Sequence, residues 1–395
     1  MQFPERFSNL PEYAFPRLRA LLDHHLAGGD VVHMTIGEPK HKFPDFITST
    51  ISQNAAGFNK YPPNQGCPEL LSAIADWLKN RYNVAVDADT QVMALNGSRE
   101  GLFNACLALC PEQKNRRKPN VLIPNPFYQV YAVATLAASA TPIFVSAHQQ
   151  NGFLPDYASL GEEVLNDTAI AYICSPSNPQ GAVASYDYWA DLIRLAEKHD
   201  FYIFADECYS EIYRTTPPVG ILEVADKIGA NPERILTFHS LSKRSNLPGL
   251  RSGFVAGGPK VLAKLKQLRD YAGAPLPLPL QMAAVAAWRD EKHVIANRAA
   301  YAKKYKIADQ VFGNLKGYSS PEAGFFLWLP VADGEAAALK LWQTTGVRVL
   351  PGEYLARPTK QNDPAKGYIR AALVAPEQEI MRGLKAIHAC LYEVE

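Results

Sequence analysis

The sequence predicts an α/β fold built on a mostly parallel sheet covered by helices, and three observations point there. Seven short apolar runs of strand length (VMAL, NVLI, PIFVS, AIAYIC, FYIFA, ILTFHS and FVAGG) succeed one another from about residue 90. Helical stretches lie between most of them, as ASYDYWADLIRLAEKH does before FYIFADE, and strands alternating with helices build parallel sheets. The runs are apolar on both faces, which a strand needs only where helices cover the sheet on each side. The last two, RILTFHS and SGFVAGG, stand too close together for a parallel crossover, so one strand of the seven should run antiparallel.

Taken in order, residues 1 to 35 hold a short amphipathic helix around Phe15 to Leu26, ended by Gly28 and Gly29. Turn chemistry follows in IGEPKHKFP and NKYPPNQG. A second helix is expected from about Pro68 to Tyr82, where Leu70, Leu71, Ile74, Trp77 and Leu78 recur at helical spacing. The sheet comes next. After PLPLPLQ, one long helix rich in alanine and charge should run roughly from Gln281 to Gly313, and the rest reads as an α+β unit with FFLWLP and GYIRAALV as strands. A large domain is placed at 45–280 and a small one at 1–44 together with 281–395. No segment repeats and none is of low complexity.

The composition, 47% hydrophobic and 20% charged over 395 residues, suffices for one large core and a second, smaller one. A net charge of +1 offers no electrostatic case for nucleic acid or an anionic membrane. No apolar run approaches the roughly eighteen residues that span a bilayer. The start, MQFPERFSNLPEY, has acid and proline where a signal peptide needs a basic and then an apolar stretch, so a soluble cytoplasmic protein is expected. Cys67, Cys106, Cys110, Cys174, Cys208 and Cys390 form no CxxC pair and read as thiols in a reducing compartment. The nine histidines have no HExxH spacing, and no metal is expected.

The chemistry gathers where the strands end. VMAL runs into Asn96-Gly97-Ser98-Arg99-Glu100, NVLI into Pro124-Asn125-Pro126-Phe127-Tyr128, AIAYIC into Ser175-Pro176-Ser177-Asn178-Pro179, FYIFA into Asp206-Glu207, and ILTFH into Ser240-Leu241-Ser242-Lys243. In open α/β sheets, ligands bind beyond the carboxyl ends of the strands. Polar loops alone would account for two or three such ends, and five suggest a site. The turn at Gly97-Ser98-Arg99 opens a helix whose free N–H groups suit a phosphate, although Ser98 as a simple N-cap fits equally well. It matches neither GxxxxGK[ST] nor GxGxxG. Asp206 closes an apolar strand, where a carboxylate is costly unless a cation or an exposed strand end relieves it. The basic run SLSKRSNLPGLRSG, taken by itself, reads as a solvated turn as readily as a site.

Together the motifs resemble the fold type I, class I/II pyridoxal-phosphate aminotransferases. Ser240-Leu241-Ser242-Lys243 followed by Pro248-Gly249-Leu250-Arg251-Ser252-Gly253 resembles that family's cofactor-lysine segment. The IGEP turn, NGSREGL, NPFY, SPSNPQG, ADECYSEIY and IRAALVAP extend the likeness over most of the chain, and within the family it is most similar to the proteobacterial succinyldiaminopimelate aminotransferases. The resemblance implies a three-layer PLP-transferase-like fold with a seven-stranded sheet and a smaller α+β domain. It implies that Lys243 holds the cofactor covalently and moves protons, that Arg251, Ser98, Arg99, Ser240, Ser242 and Gly97 surround its phosphate, and that Asp206 pairs with the ring nitrogen. By the same likeness Asn178 and Tyr209 bond the ring's O3′, with Tyr209 a further catalytic position, and Tyr128 stacks on the ring face. Arg370 would bind the substrate α-carboxylate, with Asn178 and the Gly37 backbone N–H beside it. Tyr61 would reach a partner subunit's phosphate, which requires a homodimer.

The implied reaction moves an amino group between glutamate and N-succinyl-2-amino-6-oxopimelate, giving N-succinyl-LL-2,6-diaminopimelate for lysine synthesis. An acetylornithine or aromatic aminotransferase and a PLP-dependent C–S lyase share the same residues and remain alternatives. A non-catalytic effector domain on this fold is disfavoured by the retained Lys243 and by the absence of room for an N-terminal winged helix. The family usually has more small polar residues where this chain reads PLPLPL between Ala274 and Gln281, a stretch that could wall a long substrate. For a distal carboxylate, Arg17, Arg19, Lys40 and Arg244 are candidates by position only.

Overall fold

The computed structural model describes residues 5–8, 10, 12–359 and 363–393. Among these described residues twelve strands are found: β1 (Val32–His33), β2 (Val92–Leu95), β3 (Asn120–Asn125), β4 (Thr141–Ser146), β5 (Thr168–Cys174), β6 (Tyr202–Asp206), β7 (Ile235–Ser240), β8 (Gly253–Gly257), β9 (Phe326–Pro330), β10 (Val347–Arg348), β11 (Leu350–Pro351) and β12 (Tyr368–Ala372). Seven of them form the large sheet in the order β2-β8-β7-β6-β5-β3-β4. All neighbours pair parallel except β8, which is antiparallel to both β2 and β7, as the short spacing between its run and β7 requires.

The period of two along each central strand divides its side chains between two cores. On β5 and β6, Ala171, Ile173, Ile203 and Ala205 join the cluster built around Trp77, Trp189 and Trp288. Their alternates Ile170, Tyr172 and Phe204 join the opposite cluster with Leu102, Tyr131 and Leu265. Both faces are therefore covered by helices, which is why these strands read as unbroken apolar runs. A third core holds the smaller α+β unit, in which the antiparallel sheet β11-β12-β9 packs with the helices Lys292–Phe312, Gly334–Thr345 and Glu377–Leu391. No described helix is long and apolar enough to cross a membrane.

The helix Pro68–Tyr82 forms over the span read from its apolar spacing, with proline at its first turn and left-handed Asn83 closing it. Two other helices differ from expectation. The N-terminal one spans Ala14–Leu22 and stops before the glycines. Gly28 serves close approach instead: a Cβ there would lie 2.1 Å from the Gln343 carbonyl oxygen, and its N–H donates to Trp342 O at 3.0 Å. The expected long helix is two, Leu278–Arg289 and Lys292–Phe312. Asp290 breaks it, because its carboxylate takes the His293 backbone N–H at 2.9 Å and the His293 ring at 2.6 Å, a local partner that competes with helical bonding. PLPLPL is shared between a loop and the start of the first of these helices. Leu276 is buried, and its carbonyl accepts from Gln281 at 2.7 Å.

Candidate active site

The carboxyl ends of β2, β3, β5, β6 and β7 meet at one edge of the sheet, where a cleft of about 510 Å³ opens toward β9, β12 and the N-terminal helix. Every residue expected at the site lines it except Gly97 and Tyr61.

Asp206 ends β6 and is held between β5 and β7, opposite Cys174 on one side and Phe238 on the other. It is buried, and burial raises its pKa. Two donors counter that: the Tyr131 hydroxyl at 2.7 Å and the Cys208 backbone N–H at 3.4 Å. No cation pairs with it among the described residues, so neither a core arginine nor an exposed strand end explains this carboxylate.

Lys243 stands on a short helix, Leu241–Arg244, that starts directly after β7, where the Ser240 hydroxyl accepts the Ser242 N–H at 3.1 Å. Its Nζ donates to the Gly37 carbonyl and lies 5.1 Å from the Phe325 ring and 5.8 Å from that of Tyr209. Burial is the main reason its amine is pushed down to about 8. The Arg370 cation acts in the same sense, while Cys208, Glu38 and Asp206 oppose it. The Gly37 contact thus runs through the carbonyl to Lys243, an interaction the sequence did not suggest.

The helix Ser98–Leu109 points its N-terminus into the cleft with no side chain capping it, so Ser98 is not a simple N-cap. Glu100 is tied to Arg269 at 2.7 Å. Gly97 precedes the helix at φ +81°, and a Cβ there would fall 2.2 Å from Arg251 Nη2. Arg251 is itself left-handed (φ 55°), and its guanidinium donates to Pro248 O at 2.8 Å and Asn96 O at 3.1 Å. The Cys208 thiol donates to Ser98 Oγ at 3.0 Å, and Ser240 Oγ to Ser242 Oγ at 2.9 Å. Uncapped N–H groups, a guanidinium and three hydroxyls in one corner form an anion cradle.

Arg370, on β12, faces this corner across the cleft. It is buried, donates to Asn178 Oδ1 at 2.9 Å and Thr35 O at 2.8 Å, and lies 4.1 Å over the Phe326 ring. Its Nε has no partner, and no carboxylate pairs with it among the described residues. Burial pulls its pKa down to about 10. A buried guanidinium lacking a counter-ion is a place prepared for a carboxylate. Tyr209 is buried against the edges of Phe325 and Phe326, at 5.3 and 6.1 Å. Arg99 donates to the Tyr128 hydroxyl at 2.6 Å.

Tyr61 is wholly exposed and contributes nothing to this chain's cleft. The four positional candidates for a distal carboxylate also lie outside the lining. Arg17 is paired with Glu335 at 2.7 Å, Arg244 is buried and bonded to Glu291 and Ala287 O, and Arg19 and Lys40 are exposed. Nor does any residue of PLPLPL line the cleft. Two site residues escaped the sequence, Tyr131 and Cys208. The spacing of Tyr128 and Tyr131, three apart at a helix start, and the position of Cys208, two after Asp206, were the signals available.

The description "Aminotransferase class I and II" belongs to the family model that matches residues 29–387. An LL-diaminopimelate aminotransferase of Dehalococcoides mccartyi is 31% identical over 398 residues, covering 97% of each chain. A solved aminotransferase of Neisseria meningitidis is 40% identical with a TM-score of 0.94, covering 98% of this chain and 99% of its own. A probable N-succinyldiaminopimelate aminotransferase of Thermus thermophilus, at 24% identity and a TM-score of 0.82 over 96% of this chain and 98% of its own, shares the fold.

The depressed Lys243 amine carries a pH signature. Below about 8 it is protonated and unreactive, and above that it is a nucleophile. In cofactor-free protein, trace acylation of the Lys243 peptide should rise with a midpoint near pH 8, well below that of an ordinary surface lysine. A midpoint near 10.5 would show that the amine is not desolvated.

Proposed function

The chain belongs to the class I and II aminotransferases, and from that premise we propose that it transfers an amino group between glutamate and N-succinyl-2-amino-6-oxopimelate, in the diaminopimelate branch of lysine synthesis. The family works with pyridoxal phosphate, and the residues present fit it. The anion cradle suits the phosphate, and a Cβ at Gly97 would displace the guanidinium that closes it. Asp206, satisfied by hydrogen bonds but without a cation, suits a protonated ring nitrogen. When bound, the cofactor supplies an aldehyde that joins amino groups and a ring that withdraws the electron pair left as Cα loses its proton.

The chain supplies the rest. Arg370 and Asn178 would grip the α-carboxylate shared by both substrates, and so fix which Cα bond points at Lys243. The Lys243 Nζ, neutral above about pH 8, is the group that can take the Cα proton and return it. Arg251, Ser98, Ser240 and Ser242 would anchor the phosphate, Tyr128 would cover the ring, and Tyr209 would donate to its O3′. A homodimer, with Tyr61 reaching into the partner's site, belongs to the same proposal and accords with a tyrosine left wholly exposed.

One observation carries the choice of substrate. The described residues lining the cleft include Arg99, Lys243, Arg251 and Arg370 but only one carboxylate, Asp206, and that one sits at the floor. Free LL-diaminopimelate brings a distal ammonium, for which the described lining residues offer no acid beyond Asp206. N-succinylation makes that nitrogen neutral and adds a carboxylate. The named relative favours the second reading, LL-diaminopimelate itself.

After a half-reaction with glutamate, the protein should be offered the succinylated keto acid, N-acetylglutamate semialdehyde and phenylpyruvate, and its amino transfer from LL-diaminopimelate measured separately. The succinylated acceptor should give kcat/KM about tenfold or more above the others. Preference for LL-diaminopimelate would establish the second reading, and release of pyruvate and ammonia from a cysteine conjugate would indicate a lyase. Arg370→Ala should raise KM for donor and acceptor alike, by about tenfold or more, because a charge-assisted hydrogen bond contributes about 1.5–3 kcal/mol. If only one substrate suffers, Arg370 does not hold a shared carboxylate.

A further inference from the structure

Lys243 is held at both ends. Its Nζ donates to the Gly37 carbonyl, and its own backbone carbonyl accepts from the Asn297 side chain at 3.4 Å. Asn297 stands on the helix Lys292–Phe312, is buried, and does not line the cleft. A buried amide is costly unless its polar atoms are used. Here Nδ2 faces the carbonyls of Lys243 and Arg244, each at 3.4 Å, while Oδ1 faces Asn246 Nδ2 at 3.1 Å and His41 Nδ1 at 2.9 Å. The reverse orientation would set an oxygen against two carbonyl oxygens, so the partners fix which way the amide points. They fix His41 as well: Oδ1 only accepts, so the His41 Nδ1 carries a proton. Burial, aided by the Lys304 cation and opposed by the bond to Asn297, lowers the His41 pKa and favours the neutral ring.

The four-residue helix Leu241–Arg244 is too short to satisfy its own last carbonyls, and Asn297 supplies the donor for two of them. His41 closes the circuit. It belongs to the same IGEPKH stretch as Gly37, and Thr35 just before that stretch accepts from Arg370 at 2.8 Å. Tyr301, one turn beyond Asn297, packs against the His41 ring at 4.8 Å. It also stacks on Phe325 at 5.6 Å, the ring that Lys243 Nζ faces at 5.1 Å. One helix face thus holds the lysine's backbone, the segment that receives its amine and the aromatic wall beside it.

We propose that Asn297, oriented by His41, is a positioning residue for Lys243: it locks the lysine's backbone to the segment 35–41 and so sets where the Nζ acts on a substrate held by Arg370. This rests on the aminotransferase reading above. The chemistry stays with Lys243, and Asn297 acts only through it.

Two readouts test it, the first without cofactor. In cofactor-free Asn297→Ala the loosened lysine should reach water, and the midpoint of its acylation should move up from about 8 toward that of an ordinary lysine. Lys304, on the same helix and also held down to about 8, should keep its midpoint. In the holoenzyme, kcat of Asn297→Ala for glutamate should fall about tenfold or more with KM within about twofold, because a misplaced base loses rate without losing binding. Deuterium at Cα should slow the variant by a larger factor than the wild type. His41→Asn, whose amide N–H can replace the ring N–H, should stay within about threefold of wild-type kcat, whereas His41→Ala should share the tenfold loss. An unmoved Lys243 midpoint, a shift shared by Lys304, a loss confined to KM, or His41→Asn as impaired as His41→Ala would each overturn the proposal. Should Asn297→Ala fail to fold, the two His41 variants decide it. If the Lys243 midpoint moves but the wild type transfers no amino group from glutamate, the clamp stands and the functional reading fails.

Discussion

The sheet removes the Asp206 carboxylate from water, and the rest of the cleft is arranged around that cost. An ionised carboxylate in a protein interior is penalised by several kcal/mol. The hydrogen bonds from Tyr131 and the Cys208 N–H contribute about 1.5–3 kcal/mol each and offset it only in part. A protonated heterocycle nitrogen placed against Asp206 would complete the compensation. Tyr131 is in turn held by stacking on Tyr172 of β5, with ring centroids 4.5 Å apart, while Tyr172 donates to Leu102 O in the helix that forms the anion cradle. Asp206 and the helix of the anion cradle are thus joined through two buried tyrosines.

The same burial acts on the cations with the opposite sign. It lowers Lys243 to about 8 and Arg370 to about 10, so each would gain from the partner proposed for it, an aldehyde for the amine and a carboxylate for the guanidinium. Cys208 links the cradle to the carboxylate, since its thiol bonds Ser98 while its backbone N–H bonds Asp206. A lining with one acid at its floor and several bases makes the cleft attractive to anions.

Much of this was legible in the chain. Five polar strand ends following five apolar runs place Ser98, Tyr128, Asn178, Asp206 and Lys243 at one edge, because parallel strands deliver their carboxyl ends together. The antiparallel β8 followed from a connection too short to cross over. Tyr131 was not legible, because its partner lies 75 residues away and an aromatic at that helical position reads equally well as core. The break at Asp290 hid for a related reason: an alanine-rich, charged stretch keeps its helical pattern while a single carboxylate bonding His293 interrupts it. Arg99 and Arg251 look interchangeable as letters. The left-handed turn that lays Arg251 against Gly97, and the phenol that draws Arg99 to Tyr128, are products of the tertiary fold.

The central claim is that five strand ends hold pyridoxal phosphate over Asp206 with Lys243 as the amine that carries it. The chain offers a competitor in Lys304, a second lysine that burial pushes down to about 8, on the helix Lys292–Phe312 and outside the cleft lining. Borohydride reduction of the holoenzyme, followed by peptide mass spectrometry, fixes the cofactor on whichever lysine bears it. A single pyridoxyl group on the peptide containing Lys243, absent from Lys243→Ala, is the result expected. Label on Lys304, spread over surface lysines, or undiminished in Lys243→Ala would contradict the account.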